Sequence, residues 1–418
     1  MREMKNSGIE WLGDIPCDWE LSQIKSVYAE RKTKVSDKDY PPLSVTMKGI
    51  VPQLATAAKS DAHDDRKLVL KGDFAINSRS DRRGSCGISK YDGSVSLINT
   101  ILCPREQSDA KYYDWLFHTT MFADEFYKWG HGIVDDLWTT NWQDMKRIHI
   151  PVPTLEEQKK IADFLDEKCA EIDTVIEKTK ATIEEYKKLK QSVITQAVTK
   201  GIRPNRPMKD SGIEWIGEIP ADWEIRRIKS LGTYRNGLTY APDDLTDESL
   251  GTLVLRSSNI KNGKLVFGDN VYVSSIIPNN LMVKKGDILI CSRNGSRELI
   301  GKNAIVEDEI IASFGAFMMI FRTKYPNYIY YILNSDVFKY YLGTFLTATI
   351  NQLTGKNFGD MEVVFCLDIK EQEEIVEYLN KKCSEIDELI AKKTSLLSEL
   401  ESYKKSLIYE YVTGKKEV

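Results

Sequence analysis

The most regular pattern of apolar and polar positions in the chain runs from Leu155 to Lys200, where apolar or near-apolar residues recur at steps of three or four, with Lys168 and Lys190 as two polar interruptions. A repeat that averages 3.5 residues is typical of a helix that buries an apolar stripe against another long helix. The segment contains neither Pro nor Gly, while Gly201 stands where a helix stop is expected and Pro204 follows closely. The pattern therefore predicts one helix, roughly 65 Å long at about 1.5 Å per residue, that requires a partner.

The same chain supplies that partner, because the pattern returns from Ile369 to the C-terminus at an offset of 214 residues (371 − 157 = 214). Two amphipathic helices can look alike merely because each needs an apolar stripe. Here polar residues off the stripe are identical as well, Glu171 with Glu385 among them, which indicates a duplication. The predicted seam of the helix pair comprises the apolar positions Ile161, Leu165, Ile172, Ile176, Ile183, Val193, Ile375, Leu379, Ile386, Ile390, Leu397 and Leu407.

A second repeat precedes each predicted helix. Residues 7–26 return as residues 211–230 at an offset of 204 (211 − 7 = 204), and fourteen of the twenty positions are identical. Further along, a Gly-Asp turn that feeds a short apolar strand recurs at Gly72 and Gly286, at an offset of 214 (286 − 72 = 214). The second copy must therefore carry about ten extra residues (214 − 204 = 10) within 231–280.

These repeats predict an α+β chain with a pseudo-twofold internal repeat, in which two globular α/β domains are separated by two long helices packed as an antiparallel coiled coil. The predicted bounds are 1–154 for the first domain, 155–204 for the first long helix and its linker, 205–368 for the second domain and 369–418 for the second long helix. The domain edges match, but the interiors diverge: residues 80–86 differ from 294–300, and 129–136 differ from 347–352. A matched scaffold with unmatched loops favours two related binding domains with two different targets.

Composition narrows the class of protein. The chain is 42% hydrophobic with a mean hydropathy of −0.37, which is ordinary for a soluble protein. No stretch approaches the roughly 18 apolar residues that a membrane-spanning helix needs, and the N-terminal residues contain no apolar segment of the kind found in secretory signals. Seven cysteines without a C-x-x-C pair favour reduced thiols. We therefore predict a cytoplasmic protein without a membrane contact.

Motifs for catalysis do not occur in the sequence. The nearest approach to a phosphate-binding loop, from Gly295 to Asn303, has one residue too many and lacks the hydroxyl residue after its lysine. No G-x-G-x-x-G opens a predicted helix, and neither H-E-x-x-H nor G-x-S-x-G is present. All four histidines lie in the first domain, whereas a duplicated enzyme would be expected to keep its catalytic histidine in both. We therefore predict no catalytic residue, no metal site and no cofactor site in this chain.

Together these features resemble the specificity (S) subunit of bacterial type I restriction–modification systems, and the resemblance covers essentially the whole chain. One mark is the run Ile-Pro-Val-Pro-Thr-Leu-Glu-Glu-Gln at 150–158, which leads into the first long helix. The strands Gly-Asp-Phe-Ala-Ile at 72–76 and Gly-Asp-Ile-Leu-Ile at 286–290 are a second mark. The third is the segment Ser-Gly-Ile-Glu-Trp-Leu-Gly-Asp-Ile-Pro-Cys-Asp-Trp at 7–19.

The resemblance implies that each globular domain is a target-recognition domain for one half of a split DNA sequence. It implies that the helix pair sets the gap between the halves and docks the methylation subunits. The implied partners are double-stranded DNA, two modification (methyltransferase) subunits and restriction/translocase subunits, in a bacterial or archaeal cytoplasm. S-adenosylmethionine, ATP and Mg²⁺ would be cofactors of those partners, and this subunit would have none.

Contacts with bases are expected from arginine to guanine and from asparagine or glutamine to adenine. The net charge of −4 does not by itself favour a nucleic-acid binder, so the local placement of basic residues matters. An ion pair with Asp73 or Asp287 is an alternative role for the two arginines that recur at equivalent strand ends, Arg79 and Arg293. The candidate DNA contacts in the divergent loops are Arg79, Arg82, Arg83 and His131 in the first domain, and Arg293, Asn294, Arg297, Lys302, Asn351 and Gln352 in the second.

Two other classes of function stay open at the level of the sequence. One is a coiled-coil scaffold or adaptor that does not read DNA, which the divergence of the loops disfavours. The other is a nuclease or methyltransferase with an unrecognised site, which turnover by the isolated chain with S-adenosylmethionine or Mg²⁺ would reveal.

Overall fold

The computed structural model describes residues 2–53, 64–132, 138–346 and 351–418. The chain forms two compact units, and each contains one globular domain and one half of each long helix. Unit 1 comprises Met1–Lys180 and Ser395–Val418, and unit 2 comprises Ala181–Thr394. This division cuts both long helices, because it assigns each half-helix to the domain on which it packs. The bounds predicted from the sequence instead treat each long helix as a separate segment.

The globular part of unit 1 is built from short antiparallel strands and helices. Strands β10, β9, β12 and β4 form one sheet in that order, and β11, β8 and β5 form another. The strands are β1 (Met4–Asn6), β2 (Asp14–Pro16), β3 (Glu20–Gln23), β4 (Tyr28–Glu30), β5 (Lys34–Val35), β6 (Leu43–Thr46), β7 (Gly49–Pro52), β8 (Arg66–Val69), β9 (Phe74–Asn77), β10 (Cys86–Ile88), β11 (Gly93–Val95), β12 (Asn99–Pro104) and β13 (His149–Val152). The helices are α1 (Ile24–Val27), α2 (Ala110–Phe117), α3 (Thr120–Lys128), α4 (Trp142–Met145) and the long α5 (Leu155–Lys200), which continues into unit 2.

The Gly-Asp turn predicted from the sequence precedes the buried strand β9. Gly72 takes a φ of 91°, a conformation that favours glycine. The carboxylate of Asp73 closes the turn by accepting from the backbone N–H of Leu70 at 2.8 Å. Behind the turn, Phe74 packs edge-on against Phe117 of α2, with ring centroids 5.2 Å apart. The first residue of β9, Phe74, is therefore anchored in the aromatic core of unit 1.

Unit 2 repeats this plan with additional strands. Strands β17, β26, β23 and β24 form one antiparallel sheet, and β18, β22, β19 and β25 form a second in which β19 and β25 run parallel. The strands are β14 (Met208–Asp210), β15 (Glu218–Pro220), β16 (Glu224–Arg227), β17 (Gly232–Asn236), β18 (Leu245–Thr246), β19 (Thr252–Leu255), β20 (Ile260–Lys261), β21 (Lys264–Leu265), β22 (Tyr272–Val273), β23 (Ile288–Cys291), β24 (Asn303–Ile305), β25 (Ala312–Phe314), β26 (Met318–Thr323) and β27 (Glu362–Phe365). The helices are α6 (Pro326–Leu333), α7 (Asp336–Phe345), α8 (Gly355–Asp360) and the long α9 (Ile369–Val412), which continues into unit 1.

The stretch to which the sequence assigns the extra residues of the second copy holds the short hairpin β20–β21. Its turn is Asn262-Gly263, and both residues have positive φ, 51° and 75°. Asn-Gly is the dipeptide that a tight two-residue hairpin favours, because both central residues need positive φ.

Helices α5 and α9 pack antiparallel in both units. In unit 1 the ammonium of Lys404 donates to both carboxylate oxygens of Asp173, at 2.6 and 2.7 Å. In unit 2 Lys190 donates in the same way to Asp387, at 2.7 and 2.6 Å. The two pairs are related by the 214-residue repeat with the roles of the helices exchanged (387 − 173 = 214; 404 − 190 = 214). The predicted fold class, with its antiparallel long helices and pseudo-twofold repeat, is confirmed.

Every residue of the predicted seam is at least half-buried. The deepest positions lie where each half-helix also enters the core of a globular domain. Those buried are Ile161, Leu165, Ile176, Ile375, Leu379, Ile386 and Leu407, and those half-buried are Ile172, Ile183, Val193, Ile390 and Leu397.

A carboxylate, buried in unit 2 and half-buried in unit 1, joins the start of each long helix to the N-terminal segment of its domain. In unit 2, Glu371 near the start of α9 is buried, ion-paired with Arg206, and accepts from the indole N–H of Trp223 at 3.4 Å. The guanidinium of Arg206 also lies over the Trp223 ring, 5.3 Å from its centroid.

Unit 1 repeats this joint with Glu157 of α5, which accepts from the Trp19 indole at 2.9 Å and pairs with Arg2. The adjacent Gln158 is fully buried, and its amide donates to the carbonyl of Pro153 at 2.9 Å. The Glu-Gln pair that opens both helices is therefore a structural connection between helix and domain.

Replacing Glu371 by Gln is expected to destabilise unit 2, because Arg206 loses its buried charged partner. We expect the free energy of unfolding to fall by about 3 kcal/mol, measured by chemical denaturation with tryptophan fluorescence. Glu374→Gln is the matched control: Glu374 is exposed, its partner Arg203 is 2.8 Å away, and exposed pairs contribute roughly 0–1 kcal/mol. Equal midpoints for the two variants would contradict the role of the buried joint.

Candidate nucleic-acid interface

The two loops that diverge within each domain come together at the end of the Gly-Asp strand. In unit 1 the backbone of Arg79, just beyond β9, forms an antiparallel bridge with Thr139. In unit 2 the backbone of Arg293, just beyond β23, forms the equivalent bridge with Gln352. The strand end and the returning loop of each domain therefore form one surface, as expected if both loops contact one target.

A cleft of about 610 Å³ opens beside this strand end in unit 1. The hairpin β6–β7 contributes one wall, with Met47 exposed at its tip. Four arginines and one acidic side chain are among the residues that line the cleft: Arg66, Arg79, Arg82, Arg83 and Asp81. The cleft is therefore locally positive although the chain as a whole is acidic.

Three of the four arginines are held by neighbouring acidic or aromatic groups. The Nε atoms of Arg79 and Arg82 lie 2.9 and 3.7 Å from the carboxylate of Asp81, between them. Arg83 is ion-paired with Asp124 and lies 5.5 Å from the ring centroid of Tyr127. These contacts orient guanidinium groups that remain about 40–65% exposed, with side-chain exposures of 38, 66 and 54% for Arg79, Arg82 and Arg83.

Arg66 differs from the other three because it is buried. Its Nε donates to the hydroxyl of Ser94 at 2.8 Å, and Nη2 donates to the Ser94 carbonyl at 3.0 Å. Burial disfavours the charged form and lowers the pKa of Arg66 from its ordinary value. Burial likewise raises the pKa of the Tyr127 hydroxyl, so that group stays neutral. Arg66 thus forms the floor of the cleft.

The equivalent cleft of unit 2 measures about 470 Å³ and has a more aromatic lining. The Arg293 guanidinium lies 5.1 Å from the ring centroid of Phe317, which is 58% exposed. Arg256 donates to the carboxylate of Asp269 at 2.9 Å, and the Asn294 amide donates to the hydroxyl of Ser257 at 3.2 Å. The two clefts therefore share a strand-end arginine and differ in the groups around it.

Neither strand-end arginine takes the alternative role of an ion pair with the Gly-Asp turn. Arg31 binds Asp73 with bonds of 2.7 and 3.0 Å, and Arg322 binds Asp287 with bonds of 2.7 and 2.6 Å. Hydrogen bonding to the carboxylate raises the pKa of each of these arginines. That alternative for Arg79 and Arg293 is wrong, because each carboxylate is already bound to an arginine from another strand region.

The remaining sequence candidates lie outside the residues that line the two clefts. His131 is exposed, with its Nε2 3.6 Å from Asp144. The amide of Asn351 donates to the Gly295 carbonyl at 3.5 Å, beside Gln352 in the bridge to Arg293. His131 in unit 1, and Asn351 and Gln352 in unit 2, therefore lie on the returning loops that meet the strand-end arginines.

Arg297 and Lys302 both bond to backbone carbonyls. Arg297 is exposed and donates to Gly343 at 3.4 Å, whereas the half-buried Lys302 donates to Ser257 at 2.9 Å. The contact of Lys302 is a structural bond between two loops.

The clefts are also lined by four residues that the sequence patterns did not predict, namely Arg66, Arg256, Tyr240 and Phe317. Arg256 follows the apolar strand β19, just as Arg79 and Arg293 follow theirs, so the strand-end arginine was a usable signal. Phe317 and Tyr240 carried no signal, since aromatic residues are more often core than surface.

Within the described ranges, no group of three or more His, Cys, Asp or Glu side chains is placed to hold a metal ion. Each helix in those ranges is too short or too polar to span a lipid bilayer.

The model for the family described as "Type I restriction modification DNA specificity domain" matches residues 16–185 and 220–399. The chain belongs to this family. It is accordingly a DNA specificity subunit of a type I restriction–modification system, which in this family is non-catalytic, so the scaffold and enzyme alternatives are set aside. The two matched segments each cover most of one domain and the first part of the long helix that follows it.

Individual relatives and structures agree with the family match. The chain is 25% identical to the type I restriction enzyme MjaVIII specificity subunit of Methanocaldococcus jannaschii over 80% of this chain and 79% of that protein. It is 27% identical to the EcoKI specificity subunit of Escherichia coli over 39% and 37% of the two chains.

Two solved structures show the fold. A chain from a study of "complex assembly and conformational transition of the type I R-M system" has a TM-score of 0.75 at 14% identity, covering 96% of this chain and 99% of that one. The HsdS subunit from Thermoanaerobacter tengcongensis has a TM-score of 0.53 at 15% identity, covering 96% and 98%.

Substitution of Lys302 by Met is expected to destabilise unit 2 by about 1 kcal/mol, because a charged donor to a backbone carbonyl is lost. Arg297→Met is the matched control on the same loop and should change the free energy of unfolding by less than about 0.5 kcal/mol. Both values come from chemical denaturation. A Lys302 variant as stable as the Arg297 variant would remove the structural role assigned to Lys302.

Proposed function

We propose that each globular domain reads one half of a bipartite DNA target through its strand-end cleft. The observation that supports this most directly is the pair Arg79 and Arg293, which occupy equivalent positions in the repeat and line clefts that otherwise differ. Two sites that read different half-sequences are expected to share a binding residue, here the strand-end arginine, and to differ in the residues around it. In this proposal, residues 1–154 and 205–368 are the two recognition domains. Residues 155–204 and 369–418 are the two long helices that connect them.

In the first domain, the proposed base contacts come from Arg79, Arg82 and Arg83. A guanidinium can bind O6 and N7 of a guanine bidentately in the major groove, and Asp81 can accept from the amino group of a cytosine. Arginines that do not reach a base edge would bind phosphates, which position the duplex and make binding depend on salt. The ion pairs with Asp81 also orient the guanidinium groups of Arg79 and Arg82.

In the second domain, Arg293 would play the same part from above the ring of Phe317. The exposed edge of Phe317 suits the methyl group of a thymine next to the base bound by arginine. Asn294, Asn351 and Gln352 are the groups whose amides match an adenine edge. In the first domain, His131 pairs through its backbone with Thr139, the residue that bridges to Arg79, and would contact the target from there.

The helix pair would hold the two domains at a set distance and dock the modification subunits. Two domains on one duplex need centres near one helical turn apart or a multiple of it. The proposed partners are double-stranded DNA, two modification subunits and restriction/translocase subunits in a bacterial or archaeal cytoplasm. S-adenosylmethionine, ATP and Mg²⁺ would be bound by those partners.

Alanine at either strand-end arginine is expected to weaken binding to the target by about 1–3 kcal/mol, or roughly 5- to 150-fold. The target is first defined by long-read mapping of methylated adenines in cells with and without this gene, where a two-part motif with an unspecified gap should appear. Affinity is then measured with the assembled chain and modification subunits on that duplex. Arg79→Ala should respond to base changes in one half only, and Arg293→Ala to changes in the other.

Arg105→Ala and Arg227→Ala are the matched controls for the two domains. Each is an exposed arginine away from the clefts: Arg105 donates to the Lys25 carbonyl, and Arg227 lies 3.5 Å from Glu362. Their affinities should stay within about twofold of the parent. If both controls lose as much affinity as the strand-end variants, the clefts do not read the target.

A fragment that ends near Asn205 is expected to pair with itself and to direct methylation to a palindrome. Its helix carries both Asp173 and Lys190, so two copies of the fragment can form between them the pair that joins α5 to α9 in each unit. By the same 214-residue offset, the partner of Arg203 would change from Glu374 to Lys160 (374 − 214 = 160). Lys160→Glu should therefore tighten the fragment dimer by about twofold.

Analytical ultracentrifugation at micromolar concentration measures the association of the fragment, and Lys160→Ala controls for loss of the lysine alone. A fragment that stays monomeric in that range would show that the two long helices are not interchangeable.

A further inference from the structure

The cleft of unit 2 is lined by a second arginine that also follows the end of a strand. Strand β19 ends at Leu255 and is followed directly by Arg256, whereas β23 ends at Cys291 and is followed within two residues by Arg293. The two strands belong to different sheets of the unit, and both arginines line the cleft. Two guanidinium groups therefore reach one cleft from two sheets.

Hydrogen bonds from three other residues hold the turn that begins at Arg256. The backbone N–H of Arg256 donates to the side-chain oxygen of Asn259 at 2.9 Å, and Asn259 is fully buried. The carbonyl of Ser257 accepts from Lys302 at 2.9 Å, and the Ser257 hydroxyl accepts from the Asn294 amide at 3.2 Å. The side chain of Arg256 therefore leaves the protein from a fixed backbone, as a residue that reads a ligand requires.

The side chain of Arg256 has one acidic partner and further donors that this partner does not use. Its Nη2 donates to the carboxylate of Asp269 at 2.9 Å and to the Asp269 carbonyl at 3.2 Å. Within the described part of the chain, the buried Nε of Arg256 has no hydrogen-bond partner, and neither has the hydroxyl of Ser258, which also lines the cleft. Buried polar groups in folded proteins almost always have a partner, so these two groups point to a polar ligand in the cleft.

The sheet registers identify the equivalent position in unit 1. In β11, Ser94 forms a parallel bridge with Pro42, and in β25, Ser313 pairs in parallel with Val254. Each serine stands five residues before the strand that follows it (99 − 94 = 5; 318 − 313 = 5). The offset at this strand is therefore 212 (254 − 42 = 212), and the residue equivalent to the arginine after β19 is Ser44 (256 − 212 = 44). Only the second domain carries an arginine here.

We propose that Arg256 reads a guanine of the half-site that the second domain binds, and that this guanine is a different one from the guanine bound by Arg293. The inference rests on the proposed function and adds a specificity-determining residue to it. An arginine carries five N–H donors and binds O6 and N7 of guanine bidentately in the major groove. Asp269 occupies only Nη2 and is a positioning residue, since it orients the guanidinium in the cleft. The second half-site therefore contains at least two guanines, on either strand.

The test replaces each guanine of the second half-site in turn by 7-deazaguanine, which keeps its base pairing but lacks the N7 acceptor. Affinity is measured with the assembled chain and modification subunits on these duplexes. In the parent, two positions should each weaken binding by at least about threefold, because one of two hydrogen bonds to an arginine is lost at each. Arg256→Ala should make one of these positions insensitive to the replacement, and Arg293→Ala should make the other insensitive.

On the natural duplex, Arg256→Ala should weaken binding by about 5- to 150-fold. Arg256→Lys retains the positive charge but not the planar fork, so it should remove the sensitivity at the same guanine and keep the salt dependence of the parent. It also gives the same readout if alanine destabilises the turn. Asp269→Ala should lower the sensitivity at that guanine alone, which a general loss of stability would not do.

Arg226→Ala is the matched control. The side chain of Arg226 is 40% exposed, close to the 35% of Arg256, and it is likewise paired with one acidic residue, Glu224, at 2.8 Å. Both sensitive guanines should stay sensitive in this variant, with affinity within about twofold of the parent. Circular dichroism and the unfolding midpoint check that each variant is folded.

An equal loss of affinity of Arg256→Ala on every duplex, with a smaller salt dependence, would show that Arg256 binds a phosphate and would overturn the inference. Unchanged affinity would also overturn it, since the pair with Asp269 would then be purely structural. A single sensitive guanine that depends on Arg293 would leave the proposed function intact and remove the role of Arg256. If neither arginine variant alters the sensitivity of any guanine, the proposed function itself is contradicted, so the two failures are distinguishable.

Discussion

The structure depends on the antiparallel pairing of two helices that descend from one sequence. The same interaction occurs twice, as Lys404–Asp173 and as Lys190–Asp387. In the first pair α9 supplies the lysine and α5 the aspartate, and in the second pair these roles are reversed. An exposed ion pair contributes little stability, but it does distinguish one alignment of the helices from another, because a shift along the axis would part both pairs at once. The apolar seam supplies the stability, and the charges select the register.

The second constraint is the attachment of each domain to its helices. Glu157 and Glu371 each hold a tryptophan and an arginine from the N-terminal segment of a domain. Glu371 is buried and Glu157 is half-buried, and a carboxylate removed from water is tolerated only when it is paired and hydrogen-bonded. In the proposed function, movement between a helix and its domain would change the distance between the two half-sites, and a joint of this kind limits that movement.

The proposed recognition clefts differ between the two units, whereas the helix pair and the joints repeat. The strand-end arginine is retained in both domains, whereas its neighbours change from Asp81 in one to Phe317 in the other. Carboxylate and aromatic neighbours orient a guanidinium equally well but present different groups to a base pair. Specificity can therefore change by exchanging the neighbours of one arginine, with the sheet and the helices left as they are.

The duplication, the long helices with their seam, and the positions of the divergent loops can all be predicted from the amino-acid sequence alone. Heptad spacing is a relation between residues that are close in sequence, and it recurs along the whole helix. A repeated motif recurs at a fixed offset. Both patterns can therefore be recognised without knowledge of the fold. The sequence also placed Arg79 and Arg293 at equivalent strand ends.

The residues that surround those arginines could be identified only from the folded chain. Arg66, Arg256 and Phe317 reach the clefts from strands or loops distant in sequence, and no spacing rule records such an approach. The same holds for Asp73 and Asp287, whose arginine partners come from different strand regions in the two units. Periodicity indicates which face of a helix or strand is buried. Which other segment packs against that face depends on the path of the whole chain, and periodicity does not record that path.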